Sequence, residues 1–251
     1  FLLDRVVKDG FLVGDIDLNF DENGKIKNNF VVNGFIKDAN FSVLKKYNIS
    51  NTNLLFKIKN KELILEKVKT KFNKINFSFP FIKIKEEKNI FLVDGKILSD
   101  EKDINIKKVE AFFDNIFKNY NIEDVNFDSE SNFSFNIDGK FKINDLKIKS
   151  KINLNKFKYK ADIEFINKYI PYFKNLFSFE NHEISINYEK DKLDIKGKGK
   201  VSIENKTDII KYELIKNKDD FYFNTSIDIN QNYFLIEKIK YKKDQDLKAK
   251  L

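Results

Sequence analysis

Apolar and polar residues alternate along most of this chain with a period of two, the pattern of successive strands that each bury one face. Leu12, Gly14, Ile16, Leu18 and Phe20 fall on one side of a first strand, with Asp15, Asp17 and Asn19 on the other. Asp21-Glu22-Asn23-Gly24 supplies a turn, and a second strand follows through Ile26, Phe30, Val32 and Ile36. A short irregular or one-turn helical piece carrying Phe41, Leu44 and Tyr47 interrupts the alternation. It resumes at Leu54, Phe56 and Ile58, turns at Asn60-Lys61 and returns through Leu63 and Leu65. Ile75, Phe77 and Phe79 lead to Pro80, which has no amide to give a ladder and so marks an edge, a bulge or a strand end. Ile82 and Ile84 then take up the face, and Phe91, Val93, Gly95 and Ile97 form the next strand.

The period changes after that. Ile106, Val109, Phe113, Ile116, Phe117 and Tyr120 recur at three- and four-residue steps and predict an amphipathic helix over 103–120. A second helix-like stretch spans 164–178 and contains Pro171. Between them strands are predicted at 133–137, 141–148, 152–154 and 157–163, with turns at Asp138-Gly139 and Asn155-Lys156. From Glu183 onward the alternation is clearest, with hairpin turns at 189–192 and 217–220.

These elements predict a mainly β fold, an elongated, curled antiparallel sheet of repeated hairpins with one or two short amphipathic helices. The strand-turn-strand unit recurs without an exact sequence repeat, so residues 1–251 read as one continuous repeat-built segment, with 1–120 and 121–251 as a candidate subdivision. Two helices cannot cover so much apolar sheet. A sheet with one apolar face must bury it on another sheet, curl it on itself or give it to a ligand.

Composition sharpens this picture. Hydrophobic residues make up 41% and include 27 Phe and 10 Tyr, enough for a core, while 34% charged residues keep the strands wet on their other side. No run reaches the roughly 18 to 20 apolar residues that cross a bilayer as a helix. The chain holds no Met and opens at Phe1 directly into an apolar stretch, and we expect it to be a fragment of a longer protein. The net charge of +8 is spread as single lysines among Asp, Glu and Asn, so it reads as solvated strand faces and not as a nucleic-acid patch. In Lys156-Phe157-Lys158-Tyr159-Lys160 the aromatic and basic residues point opposite ways on a strand, which argues against a stacking platform.

Candidate chemistry is sparse. The absence of Cys removes disulfides, thiolate metal sites and thiol nucleophiles together. His182 is the single histidine, lacks a Ser and an orienting acid at any local spacing, and is expected in a turn or on the surface. Asp15, Asp17, Asn19 and Asp21 depart from a calcium loop at Phe20, where the sharp turn needs Gly. Asp162 and Glu164 form a carboxylate pair of a kind that 39 acidic residues produce by chance. With eight Gly and no phosphate-binding loop, we expect no enzyme, no cofactor, no metal and no nucleic-acid partner.

The stretch Lys196-Gly197-Lys198-Gly199-Lys200-Val201-Ser202-Ile203, followed by Ile210-Lys211-Tyr212-Glu213-Leu214 and Phe221-Tyr222-Phe223-Asn224-Thr225, resembles the AsmA-like family of TamB- and YhdP-related envelope proteins. Residues 10–20, Asn33-Gly34-Phe35-Ile36 and Phe91-Leu92-Val93-Asp94-Gly95-Lys96-Ile97 extend the resemblance over most of the chain. It implies a periplasmic β-groove that carries phospholipid between membranes or maintains the outer membrane, tethered to the inner membrane by a helix outside this segment. The implied partners are phospholipid acyl chains, with membranes at the ends of the full-length protein. Ile184, Ile186, Leu193, Ile195, Val201, Ile203, Phe221 and Phe223 would then line the groove. The competing expectation is a structural or adhesive β-solenoid or sandwich of a surface protein, with the same residues packed as ordinary core.

Overall fold

Hairpin follows hairpin through the computed structural model, and the strand pairings whose register is described are antiparallel. The structure describes residues 7–27, 29–43, 47–72, 75–101, 121–160, 176–203, 206–244 and 247–250. The chain divides into two compact units, residues 1–99 with 130–149 and residues 100–129 with 150–251.

The first unit contains β1 (Val7–Asp17), β2 (Val31–Val43), β3 (Tyr47–Lys59), β4 (Glu62–Phe72), β5 (Ile75–Glu87) and β6 (Ile90–Glu101). They are hydrogen-bonded in chain order and are followed by the 130–137 part of β7 (Asn121–Ile137) and the 143–149 part of β8 (Ile143–Lys160). The second unit holds the remaining parts of β7 and β8, then β9 (Leu176–Glu189), β10 (Lys192–Ile203), β11 (Lys206–Asn217) and β12 (Asp220–Ile229). The two-residue β15 (Ala249–Lys250) borders β12 at Asp228 and Ile229. A small hairpin of β13 (Phe234–Ile236) and β14 (Tyr241–Lys243) stands apart from that sheet, joined by a 3₁₀ turn at Glu237–Ile239. That turn is the only helical segment among the described residues.

Local chemistry sets the turns. Asn60-Lys61, Lys88-Asn89 and Lys190-Asp191 each place two successive residues at positive φ, the mirror-image geometry that matches strand twist in two-residue hairpins. Two longer turns share one device. Asp21 accepts the amides of Asn23 and Lys25 on Oδ1, both at 2.9 Å, and Asp138 accepts those of Lys140 and Lys142 at 2.9 Å. The left-handed position falls on Gly24 (φ 75°) in the first and on Phe141 (φ 60°) in the second, whose ring is left exposed at the tip.

A second device explains where the alternation loses phase. In β2 the apolar positions pass from Ile36 to Ala39, in β3 from Ile49 to Thr52, in β4 from Leu65 to Val68 and in β9 from Phe179 to His182. At each slip one residue sits in the left-handed region: Asp38, Asn51, Lys67 and Asn181, with φ of 51–53°. These are β-bulges, which insert one residue, bend the strand and return the apolar side chains to the same face. Asn and Asp adopt this conformation readily, and neighbouring amide side chains support it. Asn53 Oδ1 accepts the Asp38 amide at 3.2 Å, and Asn40 Oδ1 accepts that of Asn51 at 3.1 Å.

Several expectations are corrected by this. Phe41 and Tyr47, expected in an irregular or helical piece, lie in the strands β2 and β3, and Leu44 lies outside the described residues. Asn155-Lys156 is no turn, because β8 runs straight through it. The alternation passes there from Leu154 to Phe157, and the Phe157 ring still meets Phe179 at 5.8 Å. Pro80 is interior to β5, opposite Lys67 in the gap between the pairs Glu66–Phe81 and Val68–Phe79, and the register with β6 shifts beside it, so the bulge is the form it takes. The helix expected over 103–120 lies outside the described residues. So does that over 164–178 except for its last three residues, which are strand.

Candidate functional site: an apolar face and its cleft

Residues directly opposite each other on paired strands share a face, and in the first unit the apolar ones line up in rows. One row runs Gly14, Gly34, Phe56, Leu65, Ile82 and Gly95, and the next Ile16, Val32, Ile58, Leu63, Ile84 and Val93. Past the bulges the same face opens into a cleft of about 520 Å³. Phe41 comes from β2, Ile49, Thr52 and Leu54 from β3, and Leu65, Val68, Thr70 and Phe72 from β4. Phe77, Phe79 and Ile82 follow from β5, with Ile97 from β6. Its two hydroxyls satisfy each other, Thr52 Oγ1 and Thr70 Oγ1 lying 2.7 Å apart, and Thr70 also donates to the Ser50 carbonyl at 3.3 Å. The lining therefore presents no charge and no unsatisfied hydroxyl to whatever fills it.

In the second unit the eight residues expected to line a groove do lie on one face. Ile195 stands between Ile186 and Leu214, and Leu214 faces Phe223. Ile184 faces Gly197, Lys216 separates Leu193 from Phe221, and Val201 and Ile203 continue the face along β10. They differ in exposure. Val201 and Ile203 are buried, at 5% and 9%, whereas Phe221 and Phe223 are 63% and 54% exposed.

Within each unit, aromatic rings lie over glycines on the apolar face. A Cβ on Gly34 would meet the Phe56 ring at 2.5 Å, on Gly95 the Phe133 ring at 2.6 Å, and on Gly197 the Tyr212 ring at 2.2 Å. Gly199 is covered by His182, whose ring atoms would lie 2.2 and 2.3 Å from a Cβ there. Absence of a side chain is what lets each ring approach the glycine this closely.

His182 is thus a correction: expected in a turn or on the surface, it is 1% exposed within β9. The bulge at Asn181 turns it onto the apolar face, between Phe179 at 5.6 Å and Tyr212 at 5.9 Å. In the neutral form that fits both contacts, Nε2–H donates to the Lys200 carbonyl at 2.9 Å and Nδ1 accepts from the Tyr212 hydroxyl at 3.3 Å. Burial pushes the His182 pKa below its ordinary 6.5, opposed in part by the bond to Lys200, and burial raises that of Tyr212. The folded protein then binds its imidazole proton at lower pH than the unfolded chain does. Stability from this site is complete above about pH 6.5 and declines as pH falls below it, until the folded pKa is passed. We expect the melting temperature to drop between about pH 7 and pH 5.5, with a shallower slope in His182→Gln. Equal slopes would mean that His182 is not the titrating group.

Comparison with protein-family models, curated proteins and solved structures gave no match.

The site's character therefore rests on its own geometry. Among the described residues, no three His, Asp or Glu side chains converge in a way that could hold a metal ion. The sequence reading named the residues of the second unit and passed over the cleft of the first. The signal was present in the slips at Asn51 and Lys67, which look like breaks in a strand until the bulges restore the face.

Proposed function

We propose that the apolar face is a groove for phospholipid acyl chains. In this reading the chain is a non-enzymatic periplasmic segment of an AsmA-like protein, serving phospholipid transport between membranes and outer-membrane maintenance. A helix outside this segment tethers it to the inner membrane. The observation that carries the reading is the cleft between β2 and β6, whose two hydroxyls bond each other and whose remaining lining is aliphatic or aromatic. An acyl chain leaving a membrane loses about 0.8 kcal/mol of favourable burial per methylene, so it needs a continuous apolar lining of this kind. Headgroups stay in water beyond the rim. The resemblance to the AsmA-like family supplies the direction of the proposal, and the exposed Phe221 and Phe223 extend the same chemistry to the second unit.

The test is mass spectrometry of lipids extracted from the purified protein, beside Leu54→Lys and Phe223→Lys variants. Both positions are incompletely buried, so a charge there leaves the strands paired. Phospholipid in stoichiometric amount, lost from Leu54→Lys while the β circular-dichroism signal persists, is the expected result. A folded, lipid-free native protein would instead favour a structural or adhesive β segment.

A further inference from the structure

We infer that the opposite, polar face of the second unit carries a site for a phosphate group. Lys198 on β10 lies directly opposite Lys211 on β11, with Glu183 of β9 on its other side and Ser226 of β12 beyond Lys211. The adjacent row runs Ser185, Lys196, Glu213 and Asn224. Together with Lys151 and Asn153 of β8, these residues line a basin of about 710 Å³.

The charges in the basin are unevenly matched. Lys196 is held by Glu213 at 2.8 Å and lies 3.8 Å from Asp194, whereas no described carboxylate is within ion-pair distance of Lys151, Lys198 or Lys211. Like charges directly opposite on antiparallel strands destabilise the pair, and here they persist in a concavity. A bound anion removes that repulsion. The surroundings favour an oxyanion with several acceptor oxygens, because Ser185, Ser226, Asn153 and Asn224 offer hydroxyl and amide donors around the ammonium groups. A phosphate ester has the acceptors to use them, whether on a soluble molecule or as a lipid headgroup at a membrane surface. The inference does not rest on the acyl-chain reading, since it concerns the other face of the sheet.

Three protein forms test it: native, Lys198→Gln with Lys211→Gln, and Lys211→Glu, with Lys59→Gln as a control outside the basin. Glycerol phosphate is titrated by calorimetry, and binding to phosphatidylglycerol vesicles is measured by flotation. We expect saturable binding of one or both, weakened about tenfold or more in the double variant and in Lys211→Glu, and unchanged in Lys59→Gln. Binding of the soluble ester points to a free metabolite, and binding of vesicles alone points to a headgroup. Without ligand, Lys211→Glu should melt above the native protein because it replaces repulsion by a cross-strand ion pair. Binding that the double variant keeps, no binding of either probe, or an unchanged or lower melting temperature for Lys211→Glu would overturn the assignment.

Discussion

Replacing Asp208 by Ala should cost roughly 2 kcal/mol of stability, because three donors lose one buried carboxylate acceptor at once. Asp208 is 3% exposed near the start of β11. Its Oδ1 accepts the amides of Asn230 and Gln231 at 2.7 and 3.1 Å, and its Oδ2 accepts the side-chain amide of Asn232 at 2.7 Å. One carboxylate thereby ties down the turn that leaves β12. The turn is held further by the buried Lys243, which donates to the Asn232 carbonyl at 2.7 Å. Asp208→Asn keeps an acceptor of the same shape and should cost distinctly less. Amide hydrogen exchange at Asn230 and Gln231 reads the effect locally, and fast exchange in Asp208→Ala with intermediate rates in Asp208→Asn is the expected order. Native rates in the alanine variant would show that the turn is held by other contacts.

Gly199→Ala should be the second severe substitution, at about 2 to 3 kcal/mol. The added methyl would lie 2.2 Å from His182 Cδ2 and 2.7 Å from its Cα, so backbone and a buried ring would both have to move. The displaced imidazole would also give up the Lys200 carbonyl and the Tyr212 hydroxyl. Gly139→Ala is the matched control, since nothing lies within 4 Å of a Cβ there. Thermal melts of the two variants should separate clearly, and equal melting temperatures would mean that the ring over Gly199 is not tightly held.

The strand-turn-strand order was legible because period-two alternation and the Asp, Asn and Lys turn signals are local properties. Asp21 and Asp138 announce their turns through side chains that bond amides two and four residues ahead. The bulges were harder to read. A slip from Ile36 to Ala39 or from Leu154 to Phe157 resembles a break, yet the strand continues through each. The interior place of Pro80 follows the same logic, as its missing amide falls where the ladder with β6 is already shifted. The burial of His182 depended on a long-range partner, Gly199, that no local spacing connects to it. The apolar face of the second unit was readable residue by residue, whereas the cleft of the first unit was not, because bulges in neighbouring strands combine to form it.

The central claim is that the cleft of the first unit holds acyl chains, and a photo-crosslinking amino acid placed at Phe77 tests it most directly. Phe77 lines the cleft, while Phe141, 76% exposed at a turn, serves as the matched position outside it. Irradiation in the presence of phospholipid vesicles, followed by mass spectrometry of the protein, should give a phospholipid adduct at position 77 and none at 141. Equal labelling at both positions, or none at 77 in a folded protein, would contradict the account.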